Sequence, residues 1–249
     1  MTFLFLLLVF LLGFVTMFFG AISGGVGLVT RPILVFMGFP AGVIISSSRV
    51  AGVVGDWPGL YLLHKKNKLD WKIVFFLVVP MTIGSVLASI AVITFLKSSL
   101  DIVLGILLFF TGVFLLFKPK LGVVVSNREF SKMKTKIMSF LCTLPISFLN
   151  TITGGLGPLY SLIYVWIYGK TFISASALWR TASNISSVFS AIIFIVGDSV
   201  DWQLCIALMI GLGLGGFFGT KFDLKKGETW VKYIIIVVIF AGAIKLLFF

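Results

Sequence analysis

Two short stretches decide how this chain folds: Ile22-Ser23-Gly24-Gly25-Val26-Gly27 and, 130 residues later, Ile152-Thr153-Gly154-Gly155-Leu156-Gly157. Each closes a long apolar run and opens a shorter one. Glycine pairs interrupt a helix, and the N-terminus of the piece that follows carries unpaired N–H groups and the positive end of a helix dipole, which together suit an anion. Matching breaks in two halves of an apolar chain point to the binding site of a transporter. The same glycines would also let helices approach closely, as small residues do in membranes.

The surrounding sequence is lipid-soluble in character. Of 249 residues, 59% are hydrophobic and 11% charged, against about 25% charged in soluble domains. Crossing a bilayer as a helix takes about 20 apolar residues. Working outward from the first break, long runs span Thr2–Ser23, Pro40–Leu63, Trp71–Leu96 and Leu100–Phe117, with the short piece Leu28–Phe39 between the first two. Around the second break the order recurs: Ile137–Thr153, the short piece Pro158–Tyr168, Phe172–Val196, Trp202–Thr220 and Trp230–Phe249. The first run lacks a basic leader and is too long for a signal peptide, so it reads as a membrane helix. The expected fold is an all-α integral membrane protein with eight long helices and two short half-helices. Residues 1–117 form a first repeat, 118–136 a basic cytoplasmic linker, and 137–249 a second repeat.

Further matches support the duplication. At an offset of 131, Arg49 meets Arg180, Ala51 meets Ala182, Asp70-Trp71 meets Asp201-Trp202 and Gly84 meets Gly215. Charge indicates how the halves face. Lys and Arg of short loops stay cytoplasmic. If the short pieces cross and the repeats are inverted, and the three membrane arginines are left out, 15 Lys and Arg fall inside and 2, Lys97 and Lys245, outside; parallel repeats give 11 and 6. Inverted repeats are therefore expected. The basic loop His64–Asp70 and its acidic counterpart around Asp198 agree with opposite facing.

The net charge of +12 reflects this inside bias; no nucleic-acid motif accompanies it. Cys142 and Cys205 lie in apolar runs without metal-ligand spacing. His64, the one histidine, sits in a lysine-rich loop, and no carboxylate pair, metal cluster or Walker lysine occurs. No enzyme and no cofactor is expected.

Arg49 and Arg180 carry the sharpest signal. An arginine near mid-membrane costs at least about 2.5–3.5 kcal/mol on insertion scales, so it faces a cavity or a partner. Arg49 follows Ser46-Ser47-Ser48; Arg180 precedes Thr181, Ser183 and Asn184. A planar fork of donors beside small hydroxyls suits an oxyanion. The expected substrate-binding set is Arg49, Arg180, Ser23, Gly24, Gly25, Gly27, Thr153, Gly154, Gly155, Gly157, Asn150, Ser48, Thr181 and Asn184. A structural alternative is an ion pair between Arg49 and Asp56, two turns apart on one face. Arg180 has Ser187 at the corresponding position. Arg31, whose counterpart is Ser161, is a weaker candidate. Asp56, with aromatic neighbours Trp57 and Tyr61 after it, reads as interfacial, with proton coupling as its alternative role.

These segments resemble the TauE/SafE family of membrane transporters. The resemblance rests on Gly20-Ala21-Ile22-Ser23-Gly24-Gly25-Val26-Gly27, on Thr151-Ile152-Thr153-Gly154-Gly155-Leu156-Gly157, and on Gly84 and Gly211–Gly216. It departs at Arg31-Pro32 and at Pro158-Leu159-Tyr160. It implies passage of sulfite, thiosulfate or organosulfonates. A single compact chain without a targeting segment suits the plasma (inner) membrane of a bacterium or archaeon. The expected partners are a small anion and the lipid bilayer, with no nucleic acid. A negative interior favours anion exit by about 2.3 kcal/mol per charge per 100 mV, and the membrane runs offer Asp56 as their titratable acid, so export by alternating access is expected. A passive anion channel and a non-transporting scaffold are the rival readings.

Overall fold

A computed structural model describes residues 3–66, 69–94, 132–227, 229, 230, 233, 236 and 237. The run 100–117, linker residues 118–131 and most of 230–249 lie outside the described residues. Within them every regular element is a helix: α1 (Phe3–Gly20), α2 (Val26–Phe36), α3 (Ala41–Gly55), α4 (Trp57–Lys66), α5 (Trp71–Thr94), α6 (Lys132–Thr153), α7 (Gly157–Tyr168), α8 (Phe172–Val196) and α9 (Trp202–Lys226). Five of them, α1, α5, α6, α8 and α9, are long and apolar enough to cross a membrane. This is an all-α, multi-pass membrane protein.

Two boundaries differ from the sequence reading. The run Pro40–Leu63 is divided, α3 ending at Gly55 and α4 starting at Trp57. Pro58 explains the division, because it offers no N–H to Val54 and its ring crowds that carbonyl. The N–H of Asp56 still reaches Gly52 O at 3.0 Å, and the N–H of Leu60 reaches Asp56 O at 3.0 Å, so the chain bends without losing its path. Helix α6 begins at Lys132, inside the stretch assigned to the linker. Lys and Met are good helix formers, so the helix runs on past its apolar run.

The outer faces are apolar. On α5, Phe75, Val79, Ile83, Leu87 and Ile90 are exposed at helical spacing, while Val74, Leu77, Met81, Gly84, Ser85 and Ala88 are buried. On α9, Ile206, Ile210, Leu214 and Phe218 form the same kind of stripe. Large side chains thus meet lipid and small ones meet other helices, the pattern of close helix packing in membranes.

The packing pairs the ends of the chain crosswise. Helix α1 lies along α9, and α5 lies along α6 and α8. Gly211, Gly215 and Gly219 of α9 press on the carbonyls of Phe10, Phe14 and Phe18 of α1, with no room for a Cβ. In the other pair, a Cβ at Gly84 would stand 2.5 Å from Leu144 O. Under the sequence offset, Gly84 corresponds to Gly215 and Leu144 to Phe14, so one contact is the image of the other. Buried serines of α8 turn inward onto their own helix, Ser186 and Ser187 to Ser183 O and Ser190 to Ser187 O. They present polarity to the interior without leaving hydroxyls unpaired.

Candidate substrate-binding site

The two glycine breaks meet in space. Gly24, Gly25 and Gly154 have φ of +78°, +84° and +66°, a region that side chains strongly disfavour. The N–H of Gly27 donates to Gly154 O at 2.9 Å. A Cβ at Gly24 would stand 2.6 Å from Gly157 Cα, and one at Gly157 2.7 Å from Gly24 Cα. Trp179 walls this crossing, stacked on Tyr160 at 5.6 Å and bonded through Nε1 to Ser161 Oγ at 2.9 Å.

Each break leaves carbonyls at the end of the preceding helix without helical partners. After α1, Ala21 O accepts from Arg180 Nη1 and Ile22 O from Ser176 Oγ at 2.7 Å. After α6, the equivalent carbonyls of Thr151 and Ile152 accept from Arg31 Nη1. Two arginines therefore close the two broken ends.

A cavity of about 160 Å³ opens beside the crossing, lined by both breaks, by Arg31, Arg49, Asp56, Arg180 and by Ser183, Asn184 and Ser187 of α8. That volume exceeds what one water needs and leaves room for a small oxyanion. Three guanidinium groups and one carboxylate line it. Arg180 is 2% exposed and pairs with Asp56 at 2.6 Å. Arg49 donates from Nε to Ser190 Oγ and from Nη2 to Thr151 Oγ1, each at 3.2 Å. Arg31 Nε is buried and has no hydrogen-bond partner among the described residues. The cavity thus carries an excess of positive charge and an open donor.

The structure brings Arg49, Arg180, Gly24, Gly25, Gly27, Gly154, Gly157, Asn150, Ser48 and Asn184 to this cavity. Four expected residues are elsewhere. Ser23 bonds to Phe19 O and Gly24 O, and Thr153 to Leu149 O. Gly155 packs on Leu28. Thr181 donates to Ala177 O and faces His64 Nε2 at 2.8 Å.

Several of the expected polar groups are also spoken for. Gly27 N–H is taken by Gly154 O, Asn150 Oδ1 accepts from Leu156 N, and Asn184 Nδ2 donates to Val53 O. The ion pair differs from the one considered. Asp56 bonds to Arg180 of α8 and not to Arg49 on its own run, because Arg180 arrives across the interface where the chain bends at Asp56.

Two residues stand out more than their sequence suggests. Arg31 ranks by sequence as the weaker candidate because its counterpart is Ser161, although the insertion cost applied to Arg49 applies equally to it. Asp223 falls between the apolar runs Trp202–Thr220 and Trp230–Phe249, yet α9 continues through it and buries it to 2% exposure. His64, read as a loop residue, is half-buried; burial and nearby Arg180 lower its pKa from the ordinary value.

The fold and this site define a polytopic membrane protein with a cationic cavity where two broken helices cross. A profile described as "Sulfite exporter TauE/SafE" matches residues 9–246, and the chain belongs to that family. It is similar to a "Probable membrane transporter protein" of Haemophilus influenzae, 26% identical over 98% of this chain and 94% of the relative. It is also similar to the "Probable membrane transporter protein YfcA" of Escherichia coli K12, 25% identical over 93% of this chain and 85% of the relative. The "Probable membrane transporter protein ORF9" of a Sinorhizobium species is 23% identical over 96% and 90%. No solved structure matches the chain. The chain is a membrane transporter of a small molecule, and its kin are transporters rather than enzymes.

Proposed function

We propose that the chain carries small sulfur-containing anions, such as sulfite, thiosulfate or an organosulfonate, by alternating access through two inverted repeats, in the plasma membrane of a bacterium or archaeon. The observation that carries this reading is the charge of the cavity: Arg31 and Arg49 line it with no ion pair among the described residues, while Asp56 is engaged by Arg180. Charge-assisted donors in a low-dielectric site favour an anion more than they would in water. The family description names sulfite export, which supports a sulfur oxyanion as cargo. The repeat reading is supported by the crosswise contacts, in which Gly24–Gly157 mirrors Gly27–Gly154 and Gly84–Leu144 mirrors Gly215–Phe14. Rocking of one repeat against the other about this crossing would open the cavity to each side in turn. The expectation of export loses one premise, because Asp223 is a second buried acid beside Asp56.

Uptake of labelled sulfite, thiosulfate and taurine into proteoliposomes tests the reading. Saturable flux with counterflow, weakened by Arg49→Gln and Arg31→Gln, supports a carrier with this cavity as its site. Flux without saturation or counterflow makes the protein a channel. Absence of flux for every anion, with the protein folded, removes the transport of these anions.

A further inference from the structure

Asp223 has no part in the transport reading, yet its surroundings are unusual for a carboxyl group. It follows Thr220 by three residues on α9, so the two side chains share a helix face. Asp223 is 2% exposed and Thr220 fully buried. Asp223 Oδ2 and Thr220 Oγ1 both lack a hydrogen-bond partner among the described residues. The backbone N–H of Ile22 and the indole of Trp230 reach the carboxyl group, and Arg180 acts on it through space. Gly59 of α4 shows how near Arg180 comes: a Cβ there would stand 3.0 Å from Thr220 Oγ1 and 3.1 Å from Arg180 Nη2. One guanidinium therefore has two carboxyl groups within its influence, Asp56 in the cavity, bonded at 2.6 Å, and Asp223, not ion-paired.

Among the described residues, the other ionisable groups around Asp223 are few. Asp56 lies at the bend between α3 and α4, and from α4 come His64, bonded to Thr181, and Lys66, whose Nζ donates to Leu224 O at 2.7 Å. From α8 comes Arg180, and Arg49 of α3 stays at the cavity. Helix α1 carries no ionisable side chain. Lys221, Lys225 and Lys226 on α9 itself are exposed.

A carboxyl group so placed has two stable forms: the neutral acid, or the carboxylate with Arg180 turned towards it. The second form draws Arg180 from Asp56 and leaves Asp56 as an uncompensated negative charge at the cavity. We infer that Asp223 is a proton-carrying site coupled through Arg180 to anion binding, so that a proton and the anion cross together. This rests on the transport reading above. With the proton on Asp223, Arg180 stays on Asp56 and the cavity keeps its positive excess. When the proton leaves, Arg180 is recruited and the anion is repelled. Coupling is reciprocal, so a bound anion equally favours the proton-loaded state. The proton comes from water on one side and is released to water on the other; no other bond changes.

The test uses the whole chain in proteoliposomes, labelled thiosulfate, a luminal pH dye and the voltage clamped at zero. An acid exterior should drive accumulation of up to about tenfold per pH unit for one proton per anion, with the lumen acidifying as the anion enters. Asp223→Asn should lose the accumulation and the acidification but keep thiosulfate counterflow within about twofold of wild type. Accumulation that persists in Asp223→Asn, a lumen that does not acidify in wild type, or accumulation driven by sodium in place of protons each overturns the inference. Should Asp223→Asn lose counterflow as well, Asp223→Glu decides: it should recover both counterflow and accumulation, and its failure to do so overturns the assignment. Absence of any anion flux in wild type is a different result, for it removes the transport reading itself.

Discussion

The two broken helices share their glycines but not their arginines, and the difference sets the charge of the cavity. At the end of α1, Ala21 O is closed by Arg180, which arrives from α8 already paired with Asp56. At the end of α6, Thr151 O and Ile152 O are closed by Arg31, which arrives from α2 with no acid beside it. The first closure is electrically neutral; the second leaves a cation and an open Nε–H at the cavity. The same backbone problem, solved once with a salt bridge and once without, turns a near-symmetric scaffold into an asymmetric site.

The largest effect is expected at the paired arginine. Arg180→Gln removes the cation from Asp56 and a donor from Ala21 O. Breaking a buried pair costs about 3–5 kcal/mol, and the lower end applies because Asp56 is 23% exposed. Thermal unfolding in detergent should show a sharply lower Tm. Adding Asp56→Asn in the same chain should return part of it. If the double variant is as unstable as the sum of the singles, the pair is not what holds the two helices.

Next come the glycines. Gly24 and Gly154 both have positive φ, where an alanine costs about 1–2 kcal/mol. Their neighbours differ. A Cβ at Gly24 would meet the backbone of Gly157 at 2.6 Å, whereas at Gly154 it would meet the end of Arg31 at 2.8 Å. A flexible side chain yields and a backbone does not. Gly24→Ala should therefore lower Tm more than Gly154→Ala. Gly154→Ala should instead weaken anion transport by displacing Arg31. Equal losses of stability would show that the crossing of the breaks is looser than the contacts imply.

Arg49 separates binding from folding. Its bonds to Ser190 and Thr151 are long and go to uncharged hydroxyls, so Arg49→Gln should change Tm little. Losing one charge-assisted bond to the anion costs about 1.5–3 kcal/mol, which is roughly tenfold or more in KM for uptake. An unchanged KM would take Arg49 out of the site.

How much of this was legible follows from particular residues. The breaks were legible because one residue type serves two needs there, positive φ and close approach, and the sequence repeats it. The membrane-spanning runs were legible from length and composition, and Gly84 and Gly215 from their match across the duplication, but not which helices they press on. The partner of Arg180 was not. Asp56 is 124 residues away, and nothing local in either segment names the other. Arg31 was hidden by the repeat itself, since comparison with Ser161 argued against a role that the unrepeated residue fills alone. The break at Asp56 carried a signal, Pro58, that an apolar run conceals. Asp223 was hidden by its lysine neighbours, which point outward while it points in.

The smallest effect bears on the neutral side of the comparison, where His64 stands beside Arg180. Its Nε2 meets Thr181 Oγ1 at 2.8 Å. The Thr181 hydroxyl already donates to Ala177 O, so His64 is the donor and its neutral form suffices. Burial, and then the charge of Arg180, lower its pKa below the usual value. The sign follows from linkage. The unfolded chain takes up the proton first as pH falls through about 6.5, while the folded chain resists until the lowered value is reached. Stability from this group is complete above the ordinary histidine pKa and is lost between that and the lower folded value. His64→Gln keeps a donor near Thr181 but does not titrate, so it should flatten the fall of Tm between neutral and mildly acidic pH. The shift should be slight, because the ring is only half-buried and solvent screens it. A wild-type and variant Tm that fall in parallel would mean that Arg180 is screened from His64, and that the neutral closure extends no further than Asp56.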